Sequence, residues 1–168
     1  IIDDDPATEY AILCDTTGSM SNIISSVKAQ AIDIVNSIFA KDPNARIGVF
    51  GYNDPDVQTF THLTNDKSSV ISAINSLYAN GGGDTGEMLY HGIYNAANSN
   101  WSKNTQKKIF IFGDAPAKDT DFMETALAAL RPNGDDNSNN LENNSGNNGD
   151  SNGNNNGNKI GRASCRER

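Results

Sequence analysis

Short runs of consecutive apolar residues alternate along this chain with longer segments in which apolar residues recur every three or four positions. The runs are typical of buried β-strands, and the longer segments are typical of helices with one apolar face. Strands are predicted at Tyr10–Cys14, Arg46–Tyr52, Val57–Thr61 and 109–113. Helices are predicted over residues 21–39, from Thr64 or Asn65 to Tyr78, over 87–97, and over 122–130.

The order of these elements is β-α-β-β-α-α-β-α, which is typical of an α/β fold. Strands that alternate with amphipathic helices predict a mostly parallel sheet with helices on both faces. The third strand follows the second after the short turn Asn53–Asp56. These two strands therefore form a hairpin, and the third is expected to be an antiparallel edge strand.

The composition changes sharply after residue 132. Residues 133–158 contain 13 Asn, 5 Gly and 3 Ser, with Leu141 as their only apolar residue, so they cannot build a core. We therefore predict a domain at residues 1–132 and a disordered Asn/Gly/Ser-rich insertion or linker at 133–158. The segment 160–168, IGRASCRER, is what a common short-read sequencing adapter encodes, and we interpret residues 159–168 as read-through rather than native sequence.

The chain is acidic, with 13 Lys and Arg against 21 Asp and Glu and a net charge of −8. This balance argues against a nucleic-acid partner or an anionic membrane surface, because both favour a basic face. No apolar run reaches the ~18 residues that a membrane span needs. The chain begins at Ile1 without Met, so we expect its start to lie inside a longer protein, and its compartment stays unassigned.

Acidic and hydroxyl side chains follow the predicted strands, at the edge where open α/β sheets bind ligands. Asp15, Thr17 and Ser19 alternate after the first strand, so one carboxylate and two hydroxyls converge. These hard oxygen ligands suit Mg²⁺ or Mn²⁺ rather than zinc. Asp84 and Asp114 are predicted at the same edge, where a cation would relieve the repulsion between carboxylates. The alternative is that Asp15 caps a helix and the hydroxyls are incidental.

Four segments resemble, in order, the motifs of von Willebrand factor type A (vWA) domains. They are Asp15–Met20 (DTTGSM), Phe50–Asp54 (FGYND), Gly81–Glu87 (GGGDTGE) and Phe112–Pro116 (FGDAP). They look closest to the variant found in hemicentin-like proteins and in alpha-kinases that carry such a domain. The resemblance implies a Rossmann-like, doubly wound sheet of six strands in the order 3-2-1-4-5-6. Four of these strands are found here, so we expect a fragment truncated after the fourth strand.

The resemblance also implies a metal-ion-dependent adhesion site (MIDAS). It maps Asp15, Thr17 and Ser19 onto the ligands of the first loop, and Asp114 onto a ligand that usually acts through water. The implied cofactor is Mg²⁺, with Mn²⁺ or Ca²⁺ as alternatives.

The second loop of the site departs from the common family pattern. Where many family members place a Thr ligand, this sequence has Gly83, with Asp84 and Thr85 beside it. We predict Asp84 as the ligand and Thr85 as the reserve. A directly bound Asp84 would neutralise more of the cation's charge and weaken its demand for an acidic side chain from a partner.

The resemblance implies metal-dependent binding of a protein ligand, within a larger protein. The ligand would bind at the metal-bearing rim, which is the edge of the sheet where the carboxyl ends of the strands meet. Two alternatives stay open, a scaffold with a dead metal site and a regulatory domain of a larger enzyme such as an alpha-kinase. Catalysis by this part of the chain is not expected. Phosphohydrolases that form an aspartyl-phosphate need an acid where this chain has Thr17, and the Gly-rich turn lacks the Lys of a phosphate-binding loop.

Overall fold

The computed structural model describes residues 6–83 and 86–131, and the order of its elements is the predicted one. The strands are β1 (Thr8–Asp15), β2 (Ile47–Tyr52), β3 (Val57–Thr64) and β4 (Gln106–Phe112). The α-helices are α1 (Ile24–Lys41), α2 (Lys67–Asn75), α3 (Leu89–Ala97) and α4 (Met123–Ala129). Short 3₁₀ helices lie at Gly18–Asn22 and Thr120–Phe122.

The described strands form one sheet in the order β3-β2-β1-β4. The central strand β1 pairs in parallel with both β2 and β4, so that Leu13 lies opposite Phe50 on one side and Ile111 on the other. β3 runs antiparallel to β2 at the edge. The prediction of a mostly parallel α/β sheet with one antiparallel edge strand is therefore confirmed.

Alternate residues of β1 pack against helices on opposite faces of the sheet. Ile12 and Cys14 belong to the cluster that includes side chains of α1 and α2. Ala11 and Leu13 belong to the cluster that includes side chains of α3 and α4. All four residues are completely buried, which is why this strand is a continuous apolar run rather than an alternating one.

The helix α2 begins later and ends earlier than the sequence predicts. Neither Thr64 nor Asn65 is its N-cap; the Asp66 carboxylate accepts a hydrogen bond of 3.0 Å from the backbone N–H of Ser68. A carboxylate at this position also interacts favourably with the helix dipole. The helix ends before Tyr78, whose side chain is 53% exposed, so the apolar period overestimated the length of the helix.

The helix α3 begins two residues later than predicted, because Glu87 is held in an extended segment. Its backbone forms a parallel bridge with Ala117, in the loop that follows β4. The preceding Gly86 has a φ of 108°, a conformation that favours glycine and turns the chain into this bridge. Glu87 is thereby fixed at the carboxyl edge of the sheet instead of in the first turn of a helix.

At the other end of the parallel strands, away from their carboxyl ends, the buried carboxylate of Glu9 links β1 to the loops that precede β2 and β4. Glu9 is 5% exposed and accepts hydrogen bonds of 2.7 Å from both the Arg46 guanidinium and the Ser102 hydroxyl. The backbone N–H of Ser102 donates a third, at 2.8 Å. Burial alone would raise the pKa of Glu9, but these hydrogen bonds outweigh it and hold the pKa below its ordinary value of 4.5.

Replacing the central apolar side chain of β1 tests the packing on this sheet. Leu13→Ala is expected to lower the free energy of unfolding by about 2–5 kcal/mol, because the cavity lies between the sheet and α3 and α4. Ile111→Ala is the matched control: Ile111 pairs with Leu13 across the strands but is 46% exposed, so a smaller loss is expected. Urea unfolding measures both, and equal losses would contradict this description of the core.

The Glu9 cluster predicts a pH dependence. Because the folded-state pKa is lowered, its contribution to stability is present above about pH 4.5 and is lost as the pH falls through the folded pKa. Glu9→Gln should lower the free energy of unfolding at neutral pH by about 1–3 kcal/mol and flatten its decline in acid. Urea unfolding over a pH series measures this, and parallel curves for variant and wild type would refute it.

Candidate metal centre

The carboxyl ends of the three parallel strands meet at one edge of the sheet, which we call the rim. Asp15 is the last residue of β1, Asn53 follows β2, and Asp114 lies two residues beyond β4. Of the predicted ligands, the structure brings Asp15, Thr17, Ser19 and Asp114 together here. Asp84 and Thr85 lie outside the described residues.

The four residues are joined by a chain of short oxygen–oxygen contacts. The Thr17 hydroxyl donates to Asp15 Oδ1 at 2.7 Å, and the Thr17 backbone N–H donates to the same oxygen at 2.8 Å. The Ser19 hydroxyl donates to Asp114 Oδ1 at 3.0 Å. The two hydroxyl oxygens themselves are 3.1 Å apart.

These three oxygen–oxygen contacts share only two hydroxyl hydrogens. Each hydroxyl carries a single hydrogen, and Thr17 and Ser19 direct theirs to Asp15 and Asp114. With both carboxyl groups ionised, no hydroxyl hydrogen is then left for the contact between Thr17 and Ser19. A cation beside these two oxygens would compensate for the missing hydrogen.

The carboxylate of Asp15 lies at the buried end of this chain. Asp15 is completely buried, and its second oxygen, Oδ2, has no hydrogen-bond partner in the described part of the chain. Burial raises the pKa of Asp15, and the negative charge of Asp114 raises it further, whereas hydrogen bonds from Thr17 and from the backbone N–H of Asp114 oppose the shift. The site therefore holds a carboxylate whose charge is only partly compensated by the described residues.

The Gly-rich segment, residues 81–83 after α2, packs directly on the first loop, residues 16–19 after β1. The backbone N–H of Gly18 donates to the carbonyl of Gly81 at 2.9 Å. A Cβ on Gly18 would lie 2.8 Å from that carbonyl oxygen, so no larger residue fits there without a shift of the backbone. At Gly82, whose φ is 81°, a Cβ would approach the Thr17 Cβ to 3.1 Å. This close packing fixes the position of the Thr17 hydroxyl.

Asn53 links the loops at the rim, a role that its prediction as a turn residue within the FGYND segment did not include. Its side chain is largely buried, and Nδ2 donates to the backbone carbonyls of Thr16 and Asn80, each at 2.9 Å. It thus links the end of β2 to both the first loop and the Gly-rich segment. A polar residue directly after a fully buried strand was the available signal for this role.

Glu87 is a buried acid at the rim that the sequence analysis did not assign to the site. Its side chain lines a cleft of about 230 Å³ together with residues of the first loop and the Gly-rich segment, namely Thr17, Gly18, Ser19 and residues 81–83. Glu87 is 3% exposed, and its Oε2 has no hydrogen-bond partner among the described residues. Burial raises its pKa, as does the charge of Asp15, while the Thr17 hydroxyl lowers it.

Asp54, which directly follows Asn53, has a partner outside this group of oxygens. Asp54, after β2, forms an ion pair with Lys118 in the loop beyond β4. Within residues 6–83 and 86–131, no three His, Cys, Asp or Glu side chains gather where they could hold a metal ion together. Any cation bound by the described part of the rim would therefore use hydroxyl as well as carboxylate oxygens.

No helix in the described ranges has the length and apolarity that crossing a membrane requires.

Comparison with known proteins agrees with the fold. Residues 10–134 match the family model of the von Willebrand factor A domain. Human von Willebrand factor A domain-containing protein 7 is 31% identical over 132 residues, which are 77% of this chain. The chain spans only 14% of the length of that relative.

Solved structures of low sequence identity share the fold. The vWF domain of the type V pili tip protein Mfa5 from Porphyromonas gingivalis has a TM-score of 0.57 at 21% identity, over 67% of this chain and 39% of its own. Proximal thread matrix protein 1 from the mussel byssus has a TM-score of 0.61 at 17% identity, over 75% and 35%. With the match over residues 10–134, these likenesses establish that the chain belongs to the von Willebrand factor type A domain family, whose members are typically non-catalytic protein-interaction modules.

Proposed function

We propose that this vWA domain binds a divalent cation at the rim and uses it to bind a protein ligand. The observation that carries the proposal is the proton count of the Asp15–Thr17–Ser19–Asp114 chain. Three oxygen–oxygen contacts share two hydroxyl hydrogens, and the buried Oδ2 of Asp15 has no partner in the described ranges. A cation beside these oxygens supplies the positive charge that hydrogen bonds from the described residues do not.

The chemistry of the residues fits a hard cation. Asp15 contributes a buried negative charge, and the Thr17 and Ser19 hydroxyls contribute neutral oxygens. Asp114 accepts from Ser19 and orients that hydroxyl, and in this proposal it would contact the cation through water. Carboxylate and hydroxyl oxygens without sulfur or imidazole favour Mg²⁺, with Mn²⁺ or Ca²⁺ as alternatives.

The Gly-rich segment leads directly to the predicted second-loop ligand. Residues 81–83 pack against Thr17 and Gly18, and the chain then continues to Asp84, with Thr85 as the reserve. A cation held by these residues would attract an oxygen ligand of the partner, and a directly bound Asp84 would weaken its demand for an acidic one. This chain's own contribution is to hold the hydroxyl oxygens in fixed positions at the rim before the partner arrives.

Two other functions keep the same fold but need no cation. A metal-dead scaffold would use the rim or another surface without Mg²⁺, and a regulatory domain would act on an enzyme elsewhere in a longer protein. The metal-dead scaffold predicts a protein whose stability is independent of divalent cations.

Removing the buried charge tests the metal proposal. Titration calorimetry of the full chain with Mg²⁺ and Mn²⁺ should show saturable binding to the wild type and at least roughly tenfold weaker binding to Asp15→Asn. Asp33→Asn is the matched control, because it removes an exposed carboxylate on α1 and should leave binding unchanged. A wild type that binds neither cation, or an Asp15→Asn variant that binds as well, would favour the scaffold.

The contact between the two loops is tested by a pair of glycine variants. Gly18→Ala forces a Cβ against the Gly81 carbonyl, so we expect a loss of about 1–3 kcal/mol in the free energy of unfolding and weaker Mg²⁺ binding. Gly83→Ala is the control for the effect on stability, because a Cβ there meets nothing within 4 Å. Urea unfolding compares the two variants, and equal losses would contradict the loop packing described above.

A further inference from the structure

The pair Asn80–Gly81 lies where the chain leaves α2 and reaches the rim. Both residues are exposed and lie outside helices and strands. Gly81 has a φ of 65°, a conformation that favours glycine. In the described part of the chain, the Asn80 side chain forms no hydrogen bond and the Gly81 N–H donates to no acceptor. A side-chain amide and the backbone nitrogen that follows it are therefore both available for reaction with each other.

The amide of an asparagine can be attacked by the backbone nitrogen of the next residue. The Gly81 nitrogen would form a bond to Asn80 Cγ, and the bond between Cγ and Nδ2 would break. Ammonia would leave with the proton that the Gly81 nitrogen gives up, and a succinimide ring would remain. Both reacting atoms belong to one short segment, which favours ring closure, and glycine has no side chain to obstruct the approach.

The Asn53 side chain stabilises the negative charge that this attack develops. Loss of the Gly81 amide proton places negative charge on the Asn80 carbonyl oxygen, because both atoms belong to one conjugated peptide group. Asn53 Nδ2 donates a hydrogen bond of 2.9 Å to that oxygen. A fixed donor at an oxygen where negative charge develops lowers the barrier of a reaction. The fold therefore assists the attack as well as exposing the side chain that is attacked.

Water opens the succinimide at either of its two carbonyl carbons. Addition of water at Cγ gives aspartate in a normal backbone. Addition at the Asn80 carbonyl carbon gives isoaspartate, in which the backbone continues through Cβ and Cγ and the former carbonyl group becomes a free carboxylate. The backbone of this second product is longer, because Cβ has been inserted into it.

The longer backbone interferes with the contacts that attach the Gly-rich segment to the first loop. The Asn80 N–H donates to the Thr16 carbonyl, and the Gly81 carbonyl accepts from the Gly18 N–H, each at 2.9 Å. These two hydrogen bonds lie on either side of the bond that is remade. An inserted carbon changes the spacing between them, and the carbonyl that accepts from Asn53 becomes part of a carboxylate.

We propose that Asn80 deamidates spontaneously in the folded protein, and that the isoaspartate formed detaches the Gly-rich segment from the first loop. The reaction consumes only water, and it does not depend on the proposed function. If the rim binds a cation, the change would weaken that binding, because the detached segment leads to the predicted second-loop ligand.

Four further Asn-Gly pairs in the sequence are internal references for a test. They begin outside the described residues, at Asn133, Asn148, Asn152 and Asn156. The full chain is incubated in mildly alkaline buffer, folded or unfolded in guanidinium chloride. Peptide mass spectrometry follows the mass change from NH₂ to OH at each pair. The rate at Asn80 relative to the references should be at least as high in the folded chain, because Asn53 offsets the restraint of the loop. A lower relative rate in the folded chain overturns the inference.

Urea unfolding of aged protein tests the structural consequence. Asn80→Gln is the matched control, because its longer side chain must close a larger ring, whereas the four reference pairs age as in the wild type. Incubation should lower the unfolding midpoint of the wild type and not that of Asn80→Gln. Asn80→Asp carries the new charge in a normal backbone and should unfold like fresh wild type. Aged wild type that contains isoaspartate at this position and keeps its midpoint would overturn the detachment, as would an Asn80→Asp variant as unstable as the aged protein.

These readouts separate the inference from the proposed function. Conversion at Asn80 in a chain whose fresh form binds no Mg²⁺ would leave the inference standing and the proposed function wrong. Mg²⁺ binding by a folded chain in which Asn80 does not convert would leave the proposed function standing and the inference wrong.

Discussion

The burial of a carboxylate at the end of the central strand is the constraint that organises the rim. Asp15 closes β1, is completely buried, and receives hydrogen bonds on only one of its two oxygens from the described residues. A charge in that position is tolerated only where neighbouring groups compensate it. The Thr17 hydroxyl and backbone N–H provide part of this compensation, whereas the Ser19 hydroxyl donates to Asp114.

The sheet explains why this charge lies where a ligand can reach it. β1 is flanked in parallel by β2 and β4, so three strands end at the same edge and three loops leave it together. The Asn53 side chain and the Gly18 N–H then link the Gly-rich segment to the first loop through hydrogen bonds to backbone carbonyls. The apolar interior thus determines the position of a polar site that contributes little to the core itself.

Much of this architecture could be predicted from the sequence. The uninterrupted apolar run of β1 and the helical period of α1 are strong signals, because both faces of the sheet are covered. The Asp15-x-Thr17-x-Ser19 spacing predicts that three side-chain oxygens lie together, since it depends only on local backbone geometry. The position of Asp114 after an apolar strand predicts it at the same edge, and the family resemblance, confirmed over residues 10–134, maps it onto a site residue.

The parts that could not be predicted depend on contacts distant in sequence. Glu87 fits the helical period of α3, and only its bridge to Ala117 removes it from the helix and brings it to the rim. Tyr78 fits the period of α2, but the helix ends before it, and the capping carboxylate of Asp66 starts the helix later than expected. Periodicity reports which residues could share a face, whereas these outcomes depend on where the chain makes its long-range hydrogen bonds.

The central claim is that the oxygens of Asp15, Thr17 and Ser19 converge on a cation. Its most direct measurement is a crystal structure of the protein grown with Mn²⁺, with anomalous scattering recorded at the rim. We expect an anomalous peak within coordination distance of the Thr17 and Ser19 hydroxyl oxygens. A rim that shows no such peak at saturating Mn²⁺, with the same oxygens satisfied by hydrogen bonds from ordered water, would contradict it.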